Sequence, residues 1–156
     1  MDVNLDRIDR RIVAFMTRWS VPALRVSLAV IFIWFGILKP LRLSPAEALV
    51  LKTVRWMPLF APETWLAIIG WWEVAIGITF LFPSTARLAI ALLALQMVGT
   101  FLPLFILPEV TFQPGLIPFA PTLEGQYVIK NLLIISAALV IGSTVRQRPD
   151  RVRPAS

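Results

Sequence analysis

Long apolar segments separated by short polar connections dominate the chain. Four of these segments approach the roughly 20 residues that a helix needs to cross a bilayer. They cover residues 22–39, 64–82, 86–107 and 126–144. The pattern therefore predicts an all-α fold, a four-transmembrane-helix bundle in which residues 1–156 form a single integral membrane domain.

The segment before the first span has its own helical pattern. Apolar side chains recur at helical spacing, with arginines on the other faces. Two interpretations stand: an N-terminal interfacial amphipathic helix over residues 1–20 beside anionic lipid, and a plain lead-in to the first span. The apolar residues are Leu5, Ile8, Ile12, Phe15 and Trp19.

The connections also carry local signals. Ser44 to Glu47 have capping-box spacing, which predicts a short helix in the first outer loop. Pro103 is expected to kink the third span near its outer end. The proline-rich residues 108–121 predict an extended loop rather than a helix or strand, and residues 145–156 form a basic tail.

Composition narrows the function. Hydrophobic residues make up 58% and charged residues 15%, which excludes both an ordinary soluble enzyme and a disordered chain. The chain has no Cys and no His, so thiol redox chemistry, Cys-held metals and histidine catalysis are excluded. We therefore predict no catalytic residue, no metal site and no catalytic activity of its own, and no cofactor is identifiable.

The charge distribution predicts orientation. The net charge is +6, and its cations flank apolar spans instead of forming a nucleic-acid groove. Nine arginines lie in the two terminal segments and the turn at Arg87, against four cations on the opposite side. This bias favours a bacterial-type inner membrane protein with both termini cytoplasmic. No cleavable signal peptide is expected, because the first 20 residues lack a compact apolar stretch.

Several polar residues lie within the predicted spans. A charge near mid-membrane costs roughly 2.5–3.5 kcal/mol, so each one needs a partner or a wet cavity. Alternating span directions place them at similar depth in the outer half, where two lysines could pair with Glu73. The predicted cluster is either helix-packing glue or a ligand, proton or ion site. Its members are Lys39, Glu73, Gln96, Thr100, Lys130 and Asn131.

Small residues accompany these polar positions at helical spacing. They predict close helix contacts, because a glycine lets two backbones approach. The predicted packing residues are Gly36, Gly70, Gly77, Gly99 and Gly142.

These motifs resemble an arrangement found in the DoxX-like family of small four-span membrane proteins, nearest the YkgB/RclC-type branch. Arg25 opens the first span and residues 34–39 (WFGILK) close it, residues 70–77 (GWWEVAIG) lie in the second, and residues 125–132 (GQYVIKNL) open the fourth. Some relatives are membrane subunits of a thiosulfate:quinone oxidoreductase, and others are linked to oxidative stress. The resemblance carries over no catalytic residue, and the absence of Cys departs from any thiol-relay version. The matching positions are Arg25, Gly36, Lys39, Glu73, Gly77, Lys130 and Asn131.

Two functional hypotheses follow. The first is a non-catalytic membrane subunit or scaffold in oxidative-stress or respiratory-membrane physiology, holding a membrane protein partner or a lipophilic molecule such as a quinone. The alternative is a small oligomeric transporter or proton/ion pathway that uses the Glu/Lys cluster. A third hypothesis, that the protein is itself an oxidoreductase, is supported by no redox-active residue and no cofactor motif in the sequence.

Overall fold

The computed structural model describes residues 3–145, with side chains from residue 5 onwards. These residues form eight α-helices and one 3-10 turn, Pro83–Thr85. The arginines of the predicted basic tail lie outside the described residues. The helices are α1 Val3–Leu38, α2 Glu47–Val54, α3 Pro62–Leu81, α4 Ala86–Phe101, α5 Pro103–Ile106, α6 Pro108–Thr111, α7 Leu123–Ile129 and α8 Asn131–Thr144.

Four helical segments are long and apolar enough to cross a membrane: Leu5–Leu38, Pro62–Leu81, Pro83–Ile106 and Leu123–Thr144. The prediction of an all-helical chain with four such segments is confirmed. Unlike the helices of a soluble protein, these helices are apolar on both their inner and outer faces: Ala29 and Phe80 are fully buried, while Leu133 is 74% exposed. Large apolar side chains on the outside fit a bundle surrounded by lipid.

The first span is longer than predicted. α1 has 36 residues and runs without interruption through Pro22, so its length is about 54 Å at ~1.5 Å per residue. The predicted interfacial helix is therefore not a separate element; it is the first half of α1. Pro22 removes one backbone donor but does not end the helix here, and residues 5–20 are all exposed.

We call the end where α1 finishes and α3 begins the distal end of the bundle. The short predicted helix is present there as α2. The capping box that was predicted at its start is not formed. Ala46 is the N-cap residue and no side chain caps it. The Glu47 carboxylate instead forms an ion pair with Arg42, whose Nη2 lies 2.8 Å from Glu47 Oε1, while the Glu47 backbone N–H donates to the Ser44 carbonyl.

The prolines act as helix starts as well as helix breakers. α4 ends at Phe101 and α5 begins at Pro103, so the third span is interrupted where a kink is expected. The loop of residues 108–121 is not wholly extended: its first residues form α6, and Phe112 and Pro121 form an isolated antiparallel bridge. Proline favours the first position of a helical turn, where its missing N–H has no intrahelical acceptor.

The main packing contact joins α1 and α3 through glycines. A Cβ atom added at Gly70 would lie 2.7 Å from the Gly36 carbonyl oxygen, and one added at Gly77 would lie 2.8 Å from the Ala29 carbonyl oxygen. Real Cβ atoms do not approach a backbone so closely. The two helices are therefore in backbone contact, as the glycine spacing predicts.

The other two predicted packing glycines differ. An added Cβ at Gly142 would lie 3.2 Å from the end of the Ile90 side chain, so α4 and α8 approach closely there. Gly99 is exposed and has nothing within 4 Å of an added Cβ. The prediction that Gly99 packs helices together is wrong, because that face of α4 borders a cavity.

We expect Gly70→Ala to lower the thermal stability of the detergent-solubilised protein, because the new methyl group must push apart α1 and α3. Gly99→Ala is the matched control and should raise stability by about 0.5–1 kcal/mol, the usual gain when an unstrained helical glycine is replaced. Thermal unfolding followed by circular dichroism checks both. Equal effects of the two substitutions would contradict the close contact.

Candidate binding site

Three polar side chains from different segments meet inside the bundle. Lys39, which directly follows α1, forms an ion pair with Glu73 of α3. Gln96 of α4 donates from Nε2 to Glu73 Oε1 at 3.1 Å. The side chains of Lys39 and Glu73 are only 8% and 13% exposed. We call Lys39, Glu73 and Gln96 the polar network; it joins the first three spans.

The network lies deeper than the sequence indicates. Glu73 is eleven residues beyond Pro62, or about 17 Å along a helix that is about 30 Å long at ~1.5 Å per residue. It therefore lies near the middle of α3 rather than in the outer half of the span. A buried carboxylate at this depth needs hydrogen-bonded partners, which Lys39 and Gln96 supply.

Because α1 ends at Leu38, it leaves space beside the polar network. Pro40 lies against Gly70, with its Cδ 2.6 Å from an added Cβ. The α3 residues before Gly70 therefore extend past the end of α1. The space this leaves is only partly filled by α2, which packs against α3.

A cavity of about 630 Å³ occupies this space, and the polar network forms part of its wall. Its volume falls within the roughly 300–1,000 Å³ of small-molecule sites. Most of the lining is apolar. The lining side chains include Leu49, Val50 and Met57 near α2, Trp65 and Trp72 of α3, Leu95 and Gly99 of α4, and Tyr127 and Val128 of α7.

The cavity reaches the outer surface between α4 and α7. Leu95, Gly99 and Tyr127 line it and are also exposed. These positions belong to apolar spanning segments. An opening on this side would face the lipid.

Two further predicted residues line the cavity, and their side-chain hydrogen bonds go to backbone carbonyls rather than to Glu73. Thr100 donates its hydroxyl to the Gln96 carbonyl at 3.0 Å. Asn131 donates from Nδ2 to the carbonyls of Tyr127 and Val128 at 2.9 and 3.0 Å. Asn131 thereby satisfies carbonyl groups at the break between α7 and α8.

Lys130 is placed apart from the polar network. Its side chain is exposed, and its Nζ lies 5.5 Å from the centre of the Tyr127 ring. The expected pair between Lys130 and Glu73 is therefore not formed. Val128 and Asn131 face the cavity, and this rotation of the fourth span turns the intervening Lys130 outward.

Arg25 has a separate structural role at the other end of α3. Its Nε and Nη2 donate to the Phe80 carbonyl at 3.1 and 2.8 Å. Phe80 lies in the last turn of α3, where carbonyl groups lack intrahelical donors. Arg25 thus closes the helix end and joins α1 to α3 without entering the cavity.

The sequence predicts a short helix in the first outer loop but does not indicate that this helix, α2, forms a wall of a cavity. Leu49, Thr53 and Met57 recur every four residues and all line the cavity. That spacing is the available signal, but it does not distinguish an apolar cavity wall from ordinary packing.

On the α3 side of the cavity, Trp72 is held in place because its indole N–H donates to the Leu92 carbonyl at 3.3 Å.

The site offers hydrogen bonding and apolar surface rather than a metal centre. Within residues 5–145, no three carboxylates come together to hold a metal ion. No family model, curated protein or solved structure matches this chain.

We expect Glu73→Ala to lower the free energy of unfolding by about 3–5 kcal/mol, the scale of a broken buried ion pair. The double variant with Lys39→Met should be less destabilised than the sum of the two single changes. Glu73→Ala combined with Lys130→Ala should be additive, because those side chains do not touch. Equilibrium unfolding in mixed micelles measures all three; coupling to Lys130 but not to Lys39 would contradict the geometry.

Proposed function

We propose that this protein is a non-catalytic binding subunit or scaffold of a bacterial-type inner membrane, with both termini cytoplasmic. It holds a lipophilic molecule in the cavity beside Lys39, Glu73 and Gln96, and a quinone-type molecule is one such ligand. The observation that carries the proposal is an apolar cavity of about 630 Å³ with one buried polar network in its wall.

The arrangement suits an amphiphile with a small polar head. Apolar side chains from α2, α3, α4 and α7 surround most of the space, so a hydrocarbon or ring system would be shielded there. A few convergent polar groups then fix the orientation of the head, as in other ligand sites. The chain itself has no Cys or His for redox or acid–base chemistry, which supports binding rather than catalysis.

The physiological setting is part of the proposal. The nine arginines of the terminal segments and of the turn at Arg87 support cytoplasmic termini. The resemblance to DoxX-like proteins supports a role in oxidative-stress or respiratory membranes. In that setting the chain would present its ligand to a membrane protein partner or to a second copy of itself.

A proton or ion pathway is the alternative, and it rests on the same buried carboxylate. Glu73 is held on one oxygen by Lys39 and on the other by Gln96. A carboxylate that is held in this way favours a fixed binding wall over a carrier that must release its ion. Reconstituted vesicles test this alternative: proton or ion flux that Glu73→Gln abolishes would support it.

The binding proposal predicts that lipophilic molecules co-purify with the protein and depend on an open cavity. We expect Gly99→Phe to remove them, because its ring would enter the mouth of the cavity, where nothing opposes an added Cβ. Val98→Phe is the matched control, since Val98 is 71% exposed and does not line the cavity. Extraction and mass spectrometry of the bound small molecules provide the measurement.

The wild type and Val98→Phe should therefore carry the same enriched molecule, and Gly99→Phe should lack it. Absence of any enriched molecule from the wild type, purified in mild detergent, would contradict the proposal. Equal loading of all three proteins would place the ligand elsewhere.

A further inference from the structure

We propose that the cavity selects an uncharged head that carries a hydroxyl group and discriminates against a carboxylate head. This inference rests on the proposed binding function and names the chemical class of its ligand. Long-chain alcohols, hydroquinones and acylglycerols share this chemistry. Two independent features of the cavity wall lead to it: the charge balance and the direction of the amide groups.

The cavity wall is electrically neutral. Among the described residues that line it, only Lys39 and Glu73 carry a formal charge, and they are paired with each other. Lys130 lies against Tyr127, and the cations of α2 and its following turn, Lys52 and Arg55, are exposed and do not line the cavity. An anionic head would therefore lie beside Glu73 without a cation of its own, which is costly in an apolar interior.

The amide groups of the cavity wall are oriented by their partners. A carboxylate such as Glu73 only accepts, so the NH₂ group of Gln96 must point to it and Oε1 is the remaining acceptor. Backbone carbonyls also only accept, so Asn131 must turn its NH₂ group towards Tyr127 and Val128. Its Oδ1 then remains as an acceptor.

Thr100 adds a third oxygen of the same kind. Its hydroxyl proton is given to the Gln96 carbonyl, so its oxygen can only accept from a ligand. Among the described residues no donor is bonded to Gln96 Oε1, Asn131 Oδ1 or Thr100 Oγ1. A hydroxyl group can donate its proton to one of these oxygens. An ionised carboxylate has no proton to donate, so its negative oxygens would be repelled by them. The cavity wall also contains a donor: the buried Trp65 indole N–H has no hydrogen-bond partner among the described residues and can donate to the hydroxyl oxygen. For a quinone-type ligand the hydroquinone form, whose hydroxyl groups both donate and accept, would therefore be preferred over the quinone, which only accepts.

The test compares 1-hexadecanol with hexadecanoate, which have the same chain and differ in the head. Binding of the labelled molecules to the purified protein is measured at a pH where the acid is ionised. We expect the wild type to bind the alcohol at least about ten-fold more tightly. Thr100→Val should weaken binding of the alcohol several-fold and leave that of the acid unchanged, because only a donor uses this oxygen.

Charge variants make the prediction sharper. Glu73→Gln leaves Lys39 without its counter-ion, so the preference should reverse towards hexadecanoate. Lys39→Gln combined with Glu73→Gln restores a neutral wall and should restore the preference for the alcohol. If Glu73→Gln does not fold, the double variant and Thr100→Val still decide the question.

The outcomes separate the two proposals. Equal or tighter binding of hexadecanoate to the wild type would overturn the selectivity and leave the binding function intact. Failure of the wild type to bind either molecule would overturn the binding function itself. Displacement of hexadecanol by a decyl benzoquinol or by dioctanoylglycerol identifies a phenolic or a glyceride source; displacement by neither would overturn the extension of the class to hydroquinones and acylglycerols.

Discussion

The buried ion pair between Lys39 and Glu73 is the interaction on which the centre of this bundle depends. A charge in hydrocarbon is costly when it is alone, and breaking such a pair leaves its partner uncompensated. Gln96 donates to the second oxygen of Glu73, so the carboxylate is held both by the residue that follows α1 and by a residue inside α4. This requirement fixes the relative depth of the end of α1, the middle of α3 and α4.

The same requirement links helix packing to the cavity. Gly36 and Gly70 lie one helical turn before Lys39 and Glu73, and their backbones are in contact. The close approach brings the lysine within reach of the carboxylate, and it also leaves the first part of α3 beyond the end of α1. The cavity occupies that unfilled space, with α2 as one wall. The packing of α1 on α3, the pairing of Lys39 with Glu73 and the cavity therefore all follow from the contact between Gly36 and Gly70.

Irregular backbone occurs on the α4 and α7 sides of the cavity. The third span is interrupted between α4 and α5, and the fourth between α7 and α8. At the second break the Asn131 side chain donates to carbonyls that lack regular helical donors, as backbone at membrane depth requires. This use of the Asn131 NH₂ group leaves its oxygen as the free acceptor. A structural repair of the backbone therefore also sets the polarity of the cavity wall.

The sequence by itself determined the four apolar segments, the costly polar residues within them and the shared faces of Gly36 with Lys39 and of Gly70 with Glu73. These features follow from composition and from the 3.6-residue period, which are local properties. The choice of Lys39 over Lys130 as the partner of Glu73 was decided only by the tertiary structure. It depends on the rotation of the fourth span about its axis, which no local pattern encodes. The exposed position of Gly99 and the cavity wall on α2 were decided in the same way, because each depends on where one segment ends relative to its neighbours.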